Sequence, residues 1–197
     1  MKKNSFLFFL FLGCLGSPET GERQATNSIE ATKFEQIVSD DDKDSTYRDL
    51  DLALANKDCV KTLILSAKKY KTIPMDVVSF KNLEFLYLPD NQITFIPKEL
   101  YILNNLKMLV LMDNKIEVIP STICSLNSIS ILNFSRNPIA EIPTCIFEMK
   151  NLYYLGLETY NANPKELVQF KEMSKRYGAE ILLSNGRIKN GDLIEQY

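Results

Sequence analysis

Shifted against itself by 23 residues, the chain falls into register with itself: VKTLILSAKKYKTIP (60 to 74), LEFLYLPDNQITFIP (83 to 97), LKMLVLMDNKIEVIP (106 to 120) and ISILNFSRNPIAEIP (129 to 143) align, and LYYLGL (152 to 157) begins a further unit. No other feature constrains the fold as strongly. A unit this short cannot bury an apolar side by itself, so units related by a fixed period must stack on one another. The columns separate by role. The fourth position reads Leu63, Leu86, Leu109, Leu132 and Leu155; the sixth reads Leu65, Leu88, Leu111, Phe134 and Leu157. Asn91, Asn114 and Asn137 occupy the ninth, with Lys68 in the first unit, and Ile-Pro closes each of the four full stretches.

This column set is similar to the leucine-rich-repeat pattern L-x-x-L-x-L-x-x-N-x-L. The fold class it implies is an α/β solenoid, a horseshoe segment with a parallel sheet on its concave face and helical caps at both ends. The first, fourth, sixth, eleventh and fourteenth columns point inward, joined on the return side by Val77, Leu100, Ile123 and Ile146, then Phe80, Leu103, Leu126 and Met149. An Asn just after the strand can donate to and accept from backbone groups at the bend, so Asn91, Asn114 and Asn137 read as a structural ladder, not as ligands. Proline then fixes the backbone where the return segment starts.

Both ends carry helix signals. Thr46-Tyr47-Arg48-Asp49 has capping-box form ahead of Leu50, Ala53 and Leu54. At the other end Tyr160 replaces the ladder Asn, and Asn163-Pro164-Lys165-Glu166 opens a helix lined by Leu167, Phe170, Met173 and Tyr177 and stopped at Gly178. AEILLS (179 to 184) reads as a final strand, and GRIKNGDLIEQY as a polar tail or loosely packed edge cover. The organisation expected is a signal peptide (1–13), a flexible tether (14–45), an N-terminal cap helix (46–59), the repeats (60–158), and a C-terminal cap helix, strand and tail (159–197).

Where one strand face is core, the alternate residues face out. Most of that face should be polar, yet Ile64, Phe85, Tyr87, Met108, Val110, Met112, Ile131 and Tyr154 lie there, with Asn133 among them. With strands about 4.8 Å apart, they should form one contiguous, largely apolar field, and aromatic and Met residues are the types enriched at interfaces. This is the candidate partner-binding face. The competing readings are that these side chains cover one another, or that self-association hides them.

The start, MKKNSFLFFLFLGC, has two lysines, an apolar run from Phe6 to Leu12 too short to span a bilayer, a small residue and then Cys14. That is the layout of an export signal. Phe11-Leu12-Gly13-Cys14 resembles the bacterial lipobox, which implies lipidation at Cys14; Phe11 departs from the usual Leu. The Ser-, Thr- and acid-rich stretch up to Ser45 reads as a tether. Within it, Asp40, Asp42, Asp44 and Asp51 have the spacing of calcium-loop acids, but Ser45 stands where Gly is needed and Asp51 where a Glu is needed, so no metal is expected.

The formal net charge of −2 becomes −4 once Lys2 and Lys3 are removed with the signal. That argues against nucleic acid as a partner. Besides Cys14 there remain Cys59, Cys124 and Cys145; Cys124 and Cys145 fall on the return sides of adjacent coils, where a bridge can form, but buried free thiols are the expectation. The chain has no His, which removes Cys-His and Ser-His-Asp chemistry and His-containing zinc sites. No phosphate loop or dinucleotide fingerprint occurs, so no cofactor is expected.

The repeats of 23 residues with Asn-x-Ile-x-x-Ile-Pro, preceded by YRDLDLALANKDCVKTLILS, resemble the leucine-rich-repeat proteins of leptospires over roughly residues 46 to 183. The resemblance implies a non-enzymatic protein, secreted or displayed on the bacterial envelope, that binds a host or bacterial protein. Lys68 and the apolar outward columns depart from the commoner pattern, so relatives' partners are not carried over. The alternative is a structural envelope lipoprotein with no selective partner. The expected location is the outer membrane or cell surface through a lipid on Cys14 and no other membrane contact, or the medium without that lipid.

Overall fold

A computed structural model describes residues 45–194. The expected signal peptide, Cys14, the acidic run at 40 to 44 and nearly all of the tether lie outside the described residues. Nine strands form one sheet in chain order: β1 (Thr46–Tyr47), β2 (Thr62–Ile64), β3 (Phe85–Tyr87), β4 (Met108–Val110), β5 (Ile131–Asn133), β6 (Tyr154–Leu157), β7 (Glu180–Leu183), β8 (Gly186–Lys189) and β9 (Asp192–Ile194). β1 to β7 pair in parallel, while β7–β8 and β8–β9 are antiparallel. From β2 to β5 the register advances by 23 residues per strand, as in Leu86 opposite Leu109. Sequence period and sheet register are therefore the same quantity.

Each coil leaves its strand through a left-handed residue: Ala67, Asp90, Asp113 and Arg136 have φ of 55°, 55°, 53° and 55°. Asp tolerates this conformation better than Ala or Arg, so stacking must hold Ala67 and Arg136 there. The chain then crosses to the return side, where Pro74, Pro97, Pro120 and Pro143 each precede a 3-10 helix (Met75–Ser79, Lys98–Ile102, Ser121–Ser125, Thr144–Glu148). Between strands and return helices runs one apolar core that includes Leu63, Leu86, Leu109, Leu132 and Leu155 together with Phe80, Phe134 and Phe170.

Three local expectations are corrected. Thr46 and Tyr47 do not open a capping box; they pair with Thr62 and Leu63 as a sheet strand. Helix α1 (Leu50–Ala55) starts later, with Asp49 as N-cap accepting from the Leu52 N–H at 2.9 Å. The tail is not loose: Gly186–Lys189 and Asp192–Ile194 extend the sheet as a meander, turning at Asn190-Gly191 with φ of 53° and 87°. An Asn-Gly pair with both φ positive is a favoured two-residue hairpin turn, and it was legible in KNGD. Cys124 and Cys145 are not free thiols but a disulfide between adjacent return helices, with Cα atoms 6.2 Å apart.

The repeats end at helix α2 (Pro164–Tyr177), with Asn163 as N-cap, a reciprocal capping box with Glu166 and Gly178 in the left-handed conformation. Tyr160, in the ladder column, donates its hydroxyl to Glu166 Oε1 at 2.8 Å. Burial first, then that carboxylate, raise the Tyr160 pKa well above the ordinary phenol value. Among the described residues no helix is long and apolar enough to cross a membrane.

Candidate functional site: the concave face

Strand register lays out the outward face as two rows. One runs Thr62, Phe85, Met108, Ile131, Tyr154, Glu180; the next runs Ile64, Tyr87, Val110, Asn133, Gly156, Leu182. Met112 and Ser135 continue the strand direction beyond the second row. Tyr87, Met108, Val110, Met112, Ile131, Tyr154 and Leu182 form a second apolar cluster separate from the core, with Ile64 and Phe85 packed against it. The sheet is thus apolar on both sides. All of these residues come from strands except Met112, which lies two residues past β4.

Their exposure differs from the sequence-based expectation. Ile64 and Phe85 are half-buried, but Met108 is 1% exposed, Val110 2% and Met112 6%, and Tyr87, Ile131 and Tyr154 are 8% exposed each. Asn133 is fully buried. The field is contiguous but shielded.

Asn133 sits where Gly156 makes room for it: a Cβ on Gly156 would fall 2.4 Å from Asn133 Oδ1 and 2.8 Å from Ser135 Oγ. Asn133 Oδ1 accepts from the Ser135 N–H at 3.0 Å. Asn133 Nδ2, Ser135 Oγ and Thr62 Oγ1 are buried without a hydrogen-bond partner. Asn133 was among the outward residues expected from the sequence, whereas Thr62, Ser135, Gly156 and Leu182 were not singled out there. A recurring column points to a role, and each of these residues occurs once.

Behind the strands the Asn ladder has a different character. Asn114 Oδ1 accepts from Ile93 N–H at 2.9 Å, and its Nδ2 donates to the carbonyls of Leu88, Leu111 and Met112 at 2.9 to 3.1 Å. Asn91 and Asn137 make equivalent bonds. Every one of these bonds goes to backbone, so the ladder has no spare group for a ligand. A further set, Asn82, Asn105 and Asn151, donates to carbonyls of Asp58, Lys81 and Asn127 in the preceding coil.

A charged string edges the face. Arg136 donates through Nε and Nη2 to the Asp113 carboxylate at 2.7 Å each, and its Nη1 lies 3.8 Å from Glu158. Its hydrogen bond to Asp113 raises the Arg136 pKa further. Asp90 is pushed upward, first by burial and then by Asp113. At the far end Glu180 takes Arg187 at 3.0 Å and Lys189 at 3.5 Å. No cluster of three or more metal-ligating side chains occurs among the described residues.

No protein-family model and no curated protein matches the chain. Solved structures do. A leucine-rich-repeat protein of Leptospira interrogans is 34% identical with a TM-score of 0.50, over 57% of this chain and 30% of that one. The plant peptide hormone receptor RGFR1 in complex with RGF2 is 25% identical with a TM-score of 0.51, over 64% of this chain and 24% of that one. The chain is a leucine-rich-repeat solenoid by architecture, and it spans less than a third of either protein's length. The RGFR1 structure holds a peptide hormone receptor with its partner; leucine-rich-repeat proteins are commonly protein-binding modules.

Proposed function

We propose that this chain is a non-enzymatic protein-binding module exported to the bacterial envelope, lipid-anchored at Cys14, that engages a protein partner through the concave face. The observation that carries the reading is the second apolar cluster, Tyr87, Met108, Val110, Met112, Ile131 and Tyr154, on the side of the sheet that does not form the core of the coils. A soluble solenoid needs only one apolar side to stack its coils. The second is additional to what stacking needs, and Ile64 and Phe85, packed against it and half-buried, are its accessible part. Helices α1 and α2 end the apolar stack on either side as caps, leaving the face as the place for contacts. The likeness to a peptide hormone receptor supports a protein or peptide ligand. The disulfide supports export, since such bonds persist in oxidising compartments.

The test is capture of a partner from envelope extracts and host fluids, followed by affinity measurement on two variants. Ile64→Ser with Phe85→Ala changes the half-buried residues of the face; it should lower affinity by about thirtyfold, or about 2 kcal/mol, with little change in melting. Leu109→Ala, in the coil core, should lower the melting temperature instead. Unchanged affinity in a folded Ile64→Ser and Phe85→Ala variant overturns the proposal in favour of a structural envelope protein.

A further inference from the structure

The first coil is basic in a chain whose net charge is −2: between Val60 and Asn82 stand Lys61, Lys68, Lys69, Lys71 and Lys81 against one acid, Asp76. Three of these lysines lie on the flank where the chain crosses from strand to return helix. Asn91 of the next coil holds that turn, accepting from the Lys68 and Tyr70 N–H groups and donating to the Leu65 carbonyl. Lys68 is thus spared the inward role of the ladder column, and Lys68, Lys69 and Lys71 are all exposed. Elsewhere Lys107 pairs with Glu84, Arg136 with Asp113 and Lys189 with Glu180. Among the described residues Lys68, Lys69 and Lys71 make no ion pair; Asp90 and Asp113, on the corresponding turns of the next two coils, interact with Arg136 instead. Apolar side chains share the flank. The Thr94 N–H donates to the Lys71 carbonyl at 3.3 Å, which sets Phe95 beside Lys71, and Val118 follows in the same column one coil on. Phe95 is 52% exposed and Val118 51%, and neither belongs to the core or to the concave cluster.

We propose that this flank of the first three coils docks on the surface of an anionic lipid bilayer, with Lys68, Lys69 and Lys71 on lipid phosphates and Phe95 and Val118 entering the acyl boundary. Coils stack about 4.8 Å apart, so Lys71 and Val118 lie within about 10 Å and meet one surface together. Lysine stems are long enough to keep their charge at the headgroups while apolar neighbours sink below them. Each lysine at an anionic leaflet raises partition about fivefold. A sulfated or phosphorylated polymer would satisfy the lysines but offers nothing to two half-exposed apolar side chains; a bilayer takes both. Glu117 and Glu141, exposed on the third and fourth coils, bound the basic area and fix which end of the stack approaches the lipid. The flank is distinct from the concave face, and its docking needs no protein partner.

The chain has no Trp, so Phe95→Trp in the full chain, made by cell-free translation without an attached lipid, gives a single reporter on the flank itself. Vesicles of equal parts phosphatidylcholine and phosphatidylglycerol should shift its emission to the blue, and brominated acyl chains should quench it severalfold. Vesicles of phosphatidylcholine alone should do neither, and raised salt should reverse the shift. Adding Lys68→Gln, Lys69→Asn and Lys71→Gln should raise the anionic lipid needed for half of the shift by about a hundredfold; Asn is chosen at 69 because it tolerates the φ of 60° there. Val118→Ser should weaken the response severalfold at unchanged charge. Lys165→Gln, Lys171→Gln and Lys175→Gln, which remove the same charge from α2, should leave it as in the parent, with circular dichroism checking the fold of each variant. An indole that stays in solvent with anionic vesicles, a shift indifferent to salt or to the flank lysines, or an equal loss in the α2 variant overturns the proposal. Lysine-dependent capture on heparin beads by a chain whose indole ignores vesicles assigns the flank to a soluble polyanion and also overturns it. Partner affinity is not read here, so failure on the flank and failure of the concave-face function are distinguishable.

Discussion

At the scale of single residues, positions that recur unchanged are those where one side chain closes several backbone groups at once. Asn114 accepts from one N–H and donates to three carbonyls. Asn114→Ala leaves them unpaired in a central coil and should cost about 1 to 3 kcal/mol in urea unfolding; a loss of a few tenths would mean that water takes over its bonds. That column was legible because the chemistry repeats. The left-handed column before it was not, because Ala67, Asp90, Asp113 and Arg136 share a conformation and no chemistry. Asp90 also carries a pH signature. Its pKa is raised in the folded chain by burial and Asp113, so the folded state holds its proton to higher pH than the unfolded one. Its contribution to stability therefore falls as pH rises through the window between the unfolded and the raised folded pKa. Asp90→Asn escapes that loss, and Asn tolerates the left-handed conformation. The variant should melt above the parent at neutral pH and converge with it below the carboxylate range.

At the scale of elements, what could be read depended on whether the signal was local. The capping box of α2 is contained in four residues, Asn163 to Glu166, and Glu166 uses both carboxylate oxygens, one on the Asn163 N–H and one on Tyr160. Asn163→Ala should cost about 0.5 to 2 kcal/mol, and Tyr160→Phe should lower stability in the same unfolding assay by releasing α2 from the last coil. The sequence placed both cysteines on the return sides of adjacent coils but left their pairing open, because they occupy different columns, the nineteenth for Cys124 and the seventeenth for Cys145. Only the three-residue winding of the return helices brings such diagonal positions together. Its 21-residue separation implies about 3 kcal/mol from loop closure. A Cys124→Ser and Cys145→Ser chain should unfold at lower urea than the oxidised parent, and reductant should abolish the difference.

At the scale of the whole molecule, the stacking of coils followed from the period, and the direction each strand residue faces followed from alternation. How deeply the outward face is buried did not, because alternation is a property of one strand and burial is a property of the assembled sheet. The same division applies to how the chain is held in place. No helix among the described residues is long and apolar enough to cross a membrane; the attachment proposed above is through Cys14. Under that proposal a diacylglyceryl group and an amide-linked acyl chain on one cysteine would together give stable anchoring, where a single chain gives only marginal binding. The parent expressed in a bacterium should incorporate labelled palmitate and partition into the detergent phase. Cys14→Ala should lose both while remaining folded by circular dichroism. Persistent labelling in Cys14→Ala would place the lipid elsewhere, and a parent without label would make the protein a secreted one.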